Sequence, residues 1–440
     1  MRVPRAILTV LSMFIVAAAA TVVAAASLDG GDIFLPYISV APAPTPTPTP
    51  TATPPADMVE FRGLWVTRFN WTSTTAPASP ATIDRIVNDA ASAGFNAILF
   101  QVRGTADAYY DSPIEPWAQR VSGGQLGQAP DPYWDPLAYF VQRAHERGIQ
   151  LHAYINVYPV WTCGAPPVHT SPEHLYHRLV SVHGMSGDRP NGLQWTTGDQ
   201  ICSGSYRRAT PASFFVDDHL MAVATDLVTR YDIDGLHLDH IRYGGSNTSC
   251  DPISESRAGG DCFQVAPPGY ASYADWQRAQ VNGTVARFYR TLFGDGDNPG
   301  VARRPGFMLS AAVWPFYSSG YHNYYQDSKA WLAGGYVDAN MPMIYGSIDQ
   351  GDPSESLERW RATALDFQMA NGGRFVIPGI HGSFDNFQQI ADRIEAARQM
   401  GAAGHAIFAY NYLEANGYFD DLANGPYANP AVPPTITWHP

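Results

Sequence analysis

The chain has 440 residues, of which 45% are hydrophobic and 15% charged, enough to bury one large core or two smaller ones. Its formal net charge of -13 argues against nucleic acid as a partner, because phosphate binding requires a positively charged surface. An aromatic share of 12%, which includes 11 Trp and 24 Tyr residues, supplies side chains that suit the apolar faces of sugar rings.

The first segment has the pattern of an export signal. Positive charges at Arg2 and Arg5 precede an uncharged apolar run over residues 6–26. That run is longer than an ordinary signal-peptide core and approaches the length that spans a bilayer. Residues 1–30 are therefore predicted to be either a cleaved signal peptide or a membrane anchor, with the apolar run as a membrane tether in the second case.

A spacer separates this segment from the folded part. Residues 41–56 read APAPTPTPTPTATPPA, an alternation of Pro with small residues that stays extended and cannot build a core. We predict a Pro/Thr-rich linker over residues 31–58, one globular domain over residues 59–425 and a C-terminal tail over residues 426–440.

From Glu60 onward, short apolar runs alternate with longer segments of helical periodicity. Strands are predicted at residues 63–68, 97–103, 150–157, 235–242, 307–314, 339–345, 374–380 and 405–411. Helices are predicted at residues 82–93, 136–147, 215–231, 273–292, 355–370 and 387–400, with the weakest helical signal at residues 324–332. Eight βα units indicate an α/β fold of the (β/α)8 TIM-barrel type, since a doubly wound sheet usually has fewer strands.

Long loops follow the third and fourth predicted strands, at residues 158–214 and 244–272, on the barrel face that carries chemistry. All four cysteines lie in these loops: Cys163, Cys202, Cys250 and Cys262. In an exported chain they are expected to form two disulfides, and of the three connectivities we favour pairing the first with the second and the third with the fourth. A metal site is the alternative, although no C-x-x-C or paired-histidine spacing accompanies the cysteines.

The fourth predicted strand contains the clearest candidate for chemistry. Side chains alternate along a strand, so if Leu236 and Leu238 face the helices, His237 and Asp239 face the barrel interior. A buried carboxylate is costly unless it is hydrogen-bonded or used, and catalytic groups of barrels lie at strand ends. Asp239 is therefore either a catalytic carboxylate or half of a structural salt bridge with Arg242.

Polar side chains are predicted at the mouth of the barrel on neighbouring strands as well. The same alternation turns two residues of the second strand and two of the third inward, where they either bind substrate hydroxyls or hold Asp239 in place. Aromatic residues end the fifth and sixth strands, as sugar platforms or as lid packing. The candidate substrate-binding residues are Gln101, Arg103, Tyr154, Asn156, Arg242, Trp314 and Tyr345.

A mouth of this kind suits the cleavage of glycosidic bonds, which usually requires one ionised and one protonated carboxyl group. Asp239 therefore needs a partner. The candidates in loops on the same face are Asp107, Glu115, Asp349, Asp385 and Glu414. Their separations from Asp239 do not follow from the sequence, so both retaining and inverting chemistry stay open.

Four motifs resemble one known family: EFRGLWVT from Glu60, QVRGTADAYYDS from Gln101, EPW from Glu115 and DGLHLDHIRY from Asp234. Over about residues 59–420 the chain resembles the glycosyl hydrolase-like 10 family, formerly domain of unknown function 187. The resemblance implies a TIM-barrel glycosidase of the bacterial envelope that cuts peptide-free peptidoglycan or a related N-acetylhexosamine glycan. A polysaccharide is the expected partner of a monomeric enzyme, with no cofactor and no metal.

By motif position, the resemblance also favours Asp107 and Glu115 as catalytic residues beside Asp239. Two positions depart from the family pattern. His240 stands where many relatives carry a second acidic residue, and Met343 stands where a glutamine is usual, which places substrate recognition in doubt.

Two other functions remain open. One is an inert barrel that binds wall glycan as a scaffold, which an aromatic mouth without a competent carboxylate pair would fit. The other is a metal-dependent hydrolase that uses His237, Asp239 and His240. Alternation along the strand turns His240 away from the other two side chains, which argues against the metal. A serine esterase is not predicted, because no G-x-S-x-G motif occurs.

Overall fold

A computed structural model describes residues 58–345 and 356–439. The predicted export segment, the predicted linker up to residue 57 and the candidate Asp349 lie outside the described residues. Within the described ranges, no helix is both long enough and apolar enough to cross a membrane.

Eight parallel strands form the predicted barrel, each paired with the next along the chain and the last paired with the first. They are β1 (Phe61–Val66), β2 (Ala97–Arg103), β3 (Gln150–Asn156), β4 (Gly235–Asp239), β5 (Met308–Val313), β6 (Ala339–Pro342), β7 (Phe375–Val376 and Gly379–His381) and β8 (Gly404–Phe408).

The seventh strand is divided because Pro378 has no N–H group to donate to a ladder. The first part of β7 pairs with β6, and the second part pairs with β8. Two hydrogen bonds bridge the interruption: the Ile377 N–H donates to the Asn340 carbonyl at 3.0 Å, and the Ala406 N–H donates to the Pro378 carbonyl at 3.2 Å. The barrel is therefore closed at this point.

Helices cover the outside of the barrel. They are α1 (Pro80–Ala93), α2 (Pro136–His145), α3 (Phe214–Arg230), α4 (Tyr273–Phe293), α5 (Ser328–Ala333), α6 (Leu357–Gln368), α7 (Phe387–Gln399), α8 (Tyr410–Asn416) and α9 (Tyr418–Asn424). Short helices within the loops are Arg68–Trp71, Gln119–Ser122, Leu175–His183, Pro252–Ala258 and Tyr317–Asn323.

The first helix shows why the chain folds in this way. Ser79 accepts a hydrogen bond from the Ala81 N–H at 3.3 Å, Pro80 occupies the first helical position, and Gly94 ends the helix at a φ of 90°. Its apolar residues recur at helical spacing and are buried against the barrel, as expected for an amphipathic helix.

The predicted alternation of side chains is confirmed on β2. Ile98, Phe100 and Val102 join the apolar layer between strands and helices, whereas Ala97 and Leu99 belong to the inner cluster of the barrel. The predicted disulfides are also confirmed, as Cys163–Cys202 and Cys250–Cys262 with Cα–Cα distances of 5.7 and 5.2 Å.

Several strands end earlier than predicted. The first strand was expected to reach Arg68, yet β1 ends at Val66 and Arg68 begins a short helix. The fourth was expected to reach Arg242, yet β4 ends at Asp239. In both cases the residues beyond the strand end belong to loops that form the mouth, where side-chain alternation no longer applies.

The C-terminal residues form the floor of the barrel. Ala431–Val432 pairs in parallel with Met58–Val59, and Ile436 packs into the inner apolar cluster. The indole N–H of Trp438 donates to the buried Asp338 at 2.6 Å. The segment predicted as a tail thus closes the face opposite to the mouth.

Beside this floor, Glu60 is held by two arginines. It lies 2.8 Å from Arg62 and 2.8 Å from Arg398, with His405 at 3.7 Å. Burial opposes ionisation of Glu60, but Arg398, His405 and Arg62 outweigh burial and lower its pKa to about 2. The EFRG motif at the start of the domain therefore serves the fold.

Replacing Glu60 with glutamine is expected to destabilise the fold in a pH-dependent way. A fall in pKa from 4.5 to about 2 corresponds to about 3 kcal/mol of stability, present above pH 4.5 and lost as the pH falls toward 2. Denaturant unfolding of the wild type and Glu60→Gln should show that difference at pH 7 and little difference near pH 2. A constant difference across this range would contradict the ion-pair account.

Candidate active site

A cavity of about 630 Å³ opens at the carboxyl ends of the strands, within the size range of small-ligand sites. Its lining includes Trp65, Gln101, Tyr154, Asn156 and Asp239. Two larger hollows lie elsewhere, one beside Tyr317–Asn323 on the helical layer and one at the start of β4 and β5. Of these three hollows among the described residues, the one at the mouth contains inward-facing strand residues together with a carboxylate from a strand end, so we take it as the candidate site.

Asp239 ends β4, and its carboxylate lines this cavity with 15% of the side chain exposed. The Tyr154 hydroxyl donates to Oδ2 at 3.2 Å, and the His240 backbone N–H donates to Oδ1 at 2.6 Å. Arg242 Nη1 lies 3.4 Å from Oδ1. The carboxylate is thus oriented on both oxygens and remains accessible from the cavity.

These neighbours also control the ionisation of Asp239. Burial alone would raise its pKa, but the charge of Arg242 and the hydrogen bond from the His240 N–H hold the pKa below its usual range. Arg242 is the neighbour that carries a full positive charge at neutral pH. Asp239 is therefore an ionised carboxylate at any physiological pH, which suits a nucleophile or a general base.

The structure corrects the expectation for His240, which was predicted to point away from Asp239. Because β4 ends at Asp239, His240 takes a left-handed backbone conformation with a φ of 52°, and its side chain lines the same cavity. Burial and the arginines nearby lower its pKa to about 3, although Asp239 opposes them. His240 is thus a neutral imidazole at the mouth.

Aromatic rings form one wall of the cavity. Tyr345 stacks on Phe408 at 4.9 Å between ring centroids, and Trp65 meets Tyr345 edge to face at 6.1 Å. At the rim, Phe69 exposes 58% of its surface next to Arg68. Such faces suit the apolar sides of sugar rings.

Two predicted polar residues also line the cavity. Gln101 accepts a hydrogen bond from the Arg68 backbone N–H at 3.0 Å, so that it positions the chain at the rim. Asn156 is buried, and its Oδ1 has no hydrogen-bond partner among the described residues. A buried acceptor without a partner is costly, and a substrate hydroxyl would satisfy it.

Arg103 and Glu115 do not line the cavity, and they form a buried network beneath the loop after β2. The guanidinium of Arg103 contacts both carboxylate oxygens of Glu115 at 2.8 to 3.0 Å, and His219 approaches Glu115 at 2.7 Å. Arg103 also donates to the Val157 carbonyl at 3.0 Å. Burial opposes ionisation of Glu115, but Arg103 and His219 hold its pKa below the usual range. These contacts support a structural role.

Asp107 lies behind Arg68 rather than in the cavity wall. Its Oδ1 accepts a hydrogen bond from the Thr105 N–H at 2.6 Å. A Cβ atom at position 104 would lie 3.0 Å from Asp107 Oδ1 and 3.2 Å from Arg68 Cδ. Glycine at this position therefore leaves room for both side chains. Burial raises the pKa of Asp107 despite the Thr105 hydrogen bond and the charge of Arg68.

The other predicted residues lie outside the cavity lining. Trp314 packs against Tyr324 with ring centroids 4.0 Å apart and planes 31° apart, and it lies under the guanidinium of Arg242. Asp385 is exposed, and Glu414 is exposed beside Arg85 at 3.5 Å. Within the described part of the chain, Asp239 is the carboxylate that lines the cavity.

The sequence prediction did not include several lining residues. Trp65 and Phe408 face the barrel interior on β1 and β8, as the alternation of side chains along those strands accounts for. Arg68 and Phe69 follow the end of β1, and Tyr206 comes from the long loop after β3. No local pattern marks Tyr206, because its position depends on how that loop folds back over the mouth.

In the described residues, the group with metal-binding donors in reach of one another is His169, Glu173 and His177, whose donor atoms lie within 4.8 Å. Its two imidazole rings are stacked at 3.9 Å, with planes 21° apart, so their lone pairs do not converge on one point. Inside the barrel, the buried His237 Nδ1 contacts Ser310 at 2.8 Å instead of joining Asp239 and His240.

Comparison with known proteins identifies the family. Residues 60–367 match the glycosyl hydrolase-like 10 family. The chain belongs to this family. It is 25% identical to glycosyl hydrolase YngK of Bacillus subtilis strain 168 over 410 residues, which are 86% of this chain and 74% of the relative. It is 27% identical to glycosyl hydrolase DigH of Escherichia coli K12 over 334 residues, covering 69% and 70% of the two chains.

Solved structures agree on the fold. The PgaB (BpsB) glycoside hydrolase domain of Bordetella bronchiseptica superposes with a TM-score of 0.55 at 12% identity, over 82% of this chain and 98% of that one. Alpha-L-fucosidase isoenzyme 2 of Paenibacillus thiaminolyticus gives a TM-score of 0.52 at 15% identity, over 84% and 49%. As a member of the glycosyl hydrolase-like 10 family with this barrel, the protein is a glycoside hydrolase.

The buried network predicts that Glu115→Gln damages stability more than catalysis. Removing one charge leaves Arg103 buried without its partner, which should cost about 3–5 kcal/mol of unfolding free energy. Denaturant unfolding and the kcat/KM of the folded fraction would be measured together. A large fall in kcat/KM with unchanged stability would instead make Glu115 a catalytic residue.

Removal of metal ions is expected to leave the activity unchanged. The Asp239 carboxylate is paired with Arg242, and His237 and His240 do not converge with it on one point. Dialysis against EDTA should therefore not change the rate of glycan hydrolysis. Release of reducing ends before and after dialysis against EDTA tests this. A loss that added Zn²⁺ restores would show that a metal takes part.

Proposed function

We propose that the protein hydrolyses glycosidic bonds in a cell-envelope polysaccharide, with peptide-free peptidoglycan or a related N-acetylhexosamine glycan as its substrate. The observation that carries this proposal is the ionised carboxylate of Asp239, held at the centre of an aromatic-lined cavity at the barrel mouth. Membership of the glycosyl hydrolase-like 10 family supports it.

Asp239 would act on the anomeric centre, either as nucleophile or by activating water. Its low pKa keeps it anionic, and the hydrogen bonds from Tyr154 and from the His240 N–H hold the carboxylate in one orientation. An anion in this position also stabilises the positive charge that develops on the sugar in an oxocarbenium-like transition state.

Protonation of the leaving oxygen requires a second carboxyl group, kept neutral at working pH. Of the two partners favoured by motif position, Glu115 is held ionised by Arg103, whereas burial raises the pKa of Asp107. The pKa of Asp239 is lowered and that of Asp107 is raised, a difference that is typical of a base and its acid partner. We therefore assign Asp107 as the proton donor, reached past Arg68.

Sugar rings would be held by stacking and by hydrogen bonds from residues of the cavity. Phe69 offers an exposed ring at the rim, and Trp65 and Tyr345 offer faces and edges deeper in the cavity. The Asn156 Oδ1 is free to accept a hydrogen bond from a substrate hydroxyl or amide N–H. These groups recognise a neutral sugar backbone and would fix its register against Asp239.

The cellular location is part of the same proposal. Both disulfides lie in mouth loops, and disulfides persist in oxidising compartments outside the cytoplasm. Together with the predicted export segment over residues 1–30, they support an extracellular or envelope enzyme, secreted or tethered through residues 6–26.

Asp239→Asn is expected to lower kcat by about 10²–10⁴ while substrate binding persists, because the amide preserves the shape but not the charge. Mass spectrometry of products from peptide-free peptidoglycan, intact peptidoglycan and chitin oligomers would measure release and name the polymer. If both proteins bind the glycan and neither releases products, the inert glycan-binding scaffold is supported. The observation in favour of that alternative is that Asp239 is the one carboxylate in the described cavity wall.

The assignment of Asp107 has its own test. If Asp107 protonates the leaving group, Asp107→Asn should lose activity on natural glycan but retain most of it on an aryl glycoside with an acidic phenol, which needs no proton. Asp385→Asn, at an exposed carboxylate outside the cavity lining, serves as the matched control. Equal losses on both substrates would mean that Asp107 only positions Arg68.

A further inference from the structure

Three arginines surround one side of the candidate site, where Tyr206 and His240 meet edge to face at 5.6 Å. Arg68 Nη2 donates to the Tyr206 hydroxyl at 2.9 Å, and the guanidinium of Arg208 lies 5.7 Å from the same ring. Arg242 Nη2 lies 3.5 Å from His240 Nδ1. Arg68 and Arg242 line the cavity, and Arg208 supports Tyr206 from behind.

The positive charge of this group is only partly balanced by acidic side chains. Within residues 58–345 and 356–439, Arg242 has one ion pair, with Asp239 at 3.4 Å, and neither Arg68 nor Arg208 has a carboxylate oxygen within 4.0 Å. Asp107 lies behind Arg68 beyond ion-pair distance, and burial raises its pKa. Arg208 donates to the backbone carbonyls of Ser203 and Tyr206 instead. The three cations thus have one ion-paired carboxylate among them.

Such a charge is costly to hold out of water. Arg68 is only 7% exposed and Arg242 only 8% exposed. Burying a cation without a paired anion carries a free-energy penalty of several kcal/mol, and an anionic ligand would relieve it. A guanidinium group also matches the planar geometry of a carboxylate, to which it donates two parallel hydrogen bonds.

We propose that Arg68 and Arg242, reinforced by Arg208, form a carboxylate-binding subsite for an acidic sugar next to the scissile bond. This inference rests on the proposed function and specifies its substrate chemistry. The carboxylate belongs either to the lactyl ether of a muramic acid residue or to a uronic acid. In peptidoglycan, an attached peptide converts the lactyl carboxylate into a neutral amide, which cannot pair with these arginines.

The subsite predicts that the enzyme prefers substrates that carry a free carboxylate. A free carboxylate would bind beside Asp239 through two guanidinium groups. Repulsion between the substrate carboxylate and Asp239 is reduced by Arg242, which contacts Asp239 and lines the same cavity. Removing the substrate charge by amidation or reduction would forfeit charge-assisted hydrogen bonds and should lower kcat/KM roughly tenfold to a hundredfold.

The experiment compares three glycans: peptide-free peptidoglycan strands, the same strands with their carboxylates reduced to alcohols, and a polymer of alternating uronic acid and N-acetylhexosamine. The enzymes are the wild type, Arg68→Gln, Arg68→Lys and a matched control, Arg207→Gln. Arg207 precedes Arg208 in the chain, donates to the Gly164 carbonyl at 2.7 Å and does not line the cavity. Thermal unfolding of each variant establishes that it is folded.

For the wild type, kcat/KM should be roughly tenfold to a hundredfold higher on carboxylated than on reduced strands. That ratio should fall toward one in Arg68→Gln, take an intermediate value in Arg68→Lys and stay unchanged in Arg207→Gln. Cleavage of the uronic acid polymer instead of the muramic acid strands would identify the uronic acid as the source of the carboxylate. Equal wild-type rates on carboxylated and reduced strands would overturn the subsite.

Failure of the subsite and failure of the proposed function give different results. Calorimetric binding of Asp239→Asn to short carboxylated and reduced oligosaccharides measures the subsite without any turnover. If Asp239→Asn prefers the carboxylated ligand while the wild type hydrolyses neither glycan, the subsite is supported and the proposed hydrolysis is contradicted. If the wild type hydrolyses the glycans but neither binding nor hydrolysis favours the carboxylated form, the proposed function is supported and the subsite is contradicted.

Discussion

The candidate site depends on one electrostatic constraint, the burial of a negative charge at the end of β4. A carboxylate at this depth is stable only if cations and N–H groups compensate for the water it has lost. Arg242, Tyr154 and the His240 N–H provide that compensation. Arg242 and His240 follow the point at which β4 ends, and Tyr154 lies on the neighbouring strand β3. The left-handed turn at His240 is therefore part of the site, because it directs one backbone N–H at Asp239 and turns the imidazole into the mouth.

Two further ion networks hold the scaffold that carries this charge. Arg103 joins the end of β2 to Glu115 in the following loop and to the chain after β3, so adjacent strand ends at the mouth cannot separate without exposing a buried ion pair. At the opposite face, Glu60 joins the start of β1 to Arg398 at the end of α7. Because each charge has lost its hydration, removing one partner leaves the other buried and uncompensated, so these pairs resist single substitutions strongly.

The regular part of the barrel was predictable from the sequence, because alternation along a strand is a local property. Asp239, Tyr154 and Asn156 lie where strand parity placed them. The alternation of side chains ends with the strand, which is why His240, one residue beyond β4, was predicted on the wrong side. Alternation also cannot distinguish an inward side chain that reaches the cavity from one that forms a buried ion pair, as Arg103 does with Glu115. Tyr206 reaches the site from a distant loop, and its position depends on long-range folding and a disulfide.

The floor of the barrel has a consequence for how the domain folds. Ile436 and Trp438 seal the inner apolar cluster, and Ala431–Val432 completes the pairing with the first described strand residues. These partners lie far apart in the sequence, so this end of the barrel closes only when the two edges of the described domain have met. Until then the inner apolar side chains are open to water at this face, and a partly folded domain exposes the kind of apolar surface that chaperones and proteases recognise.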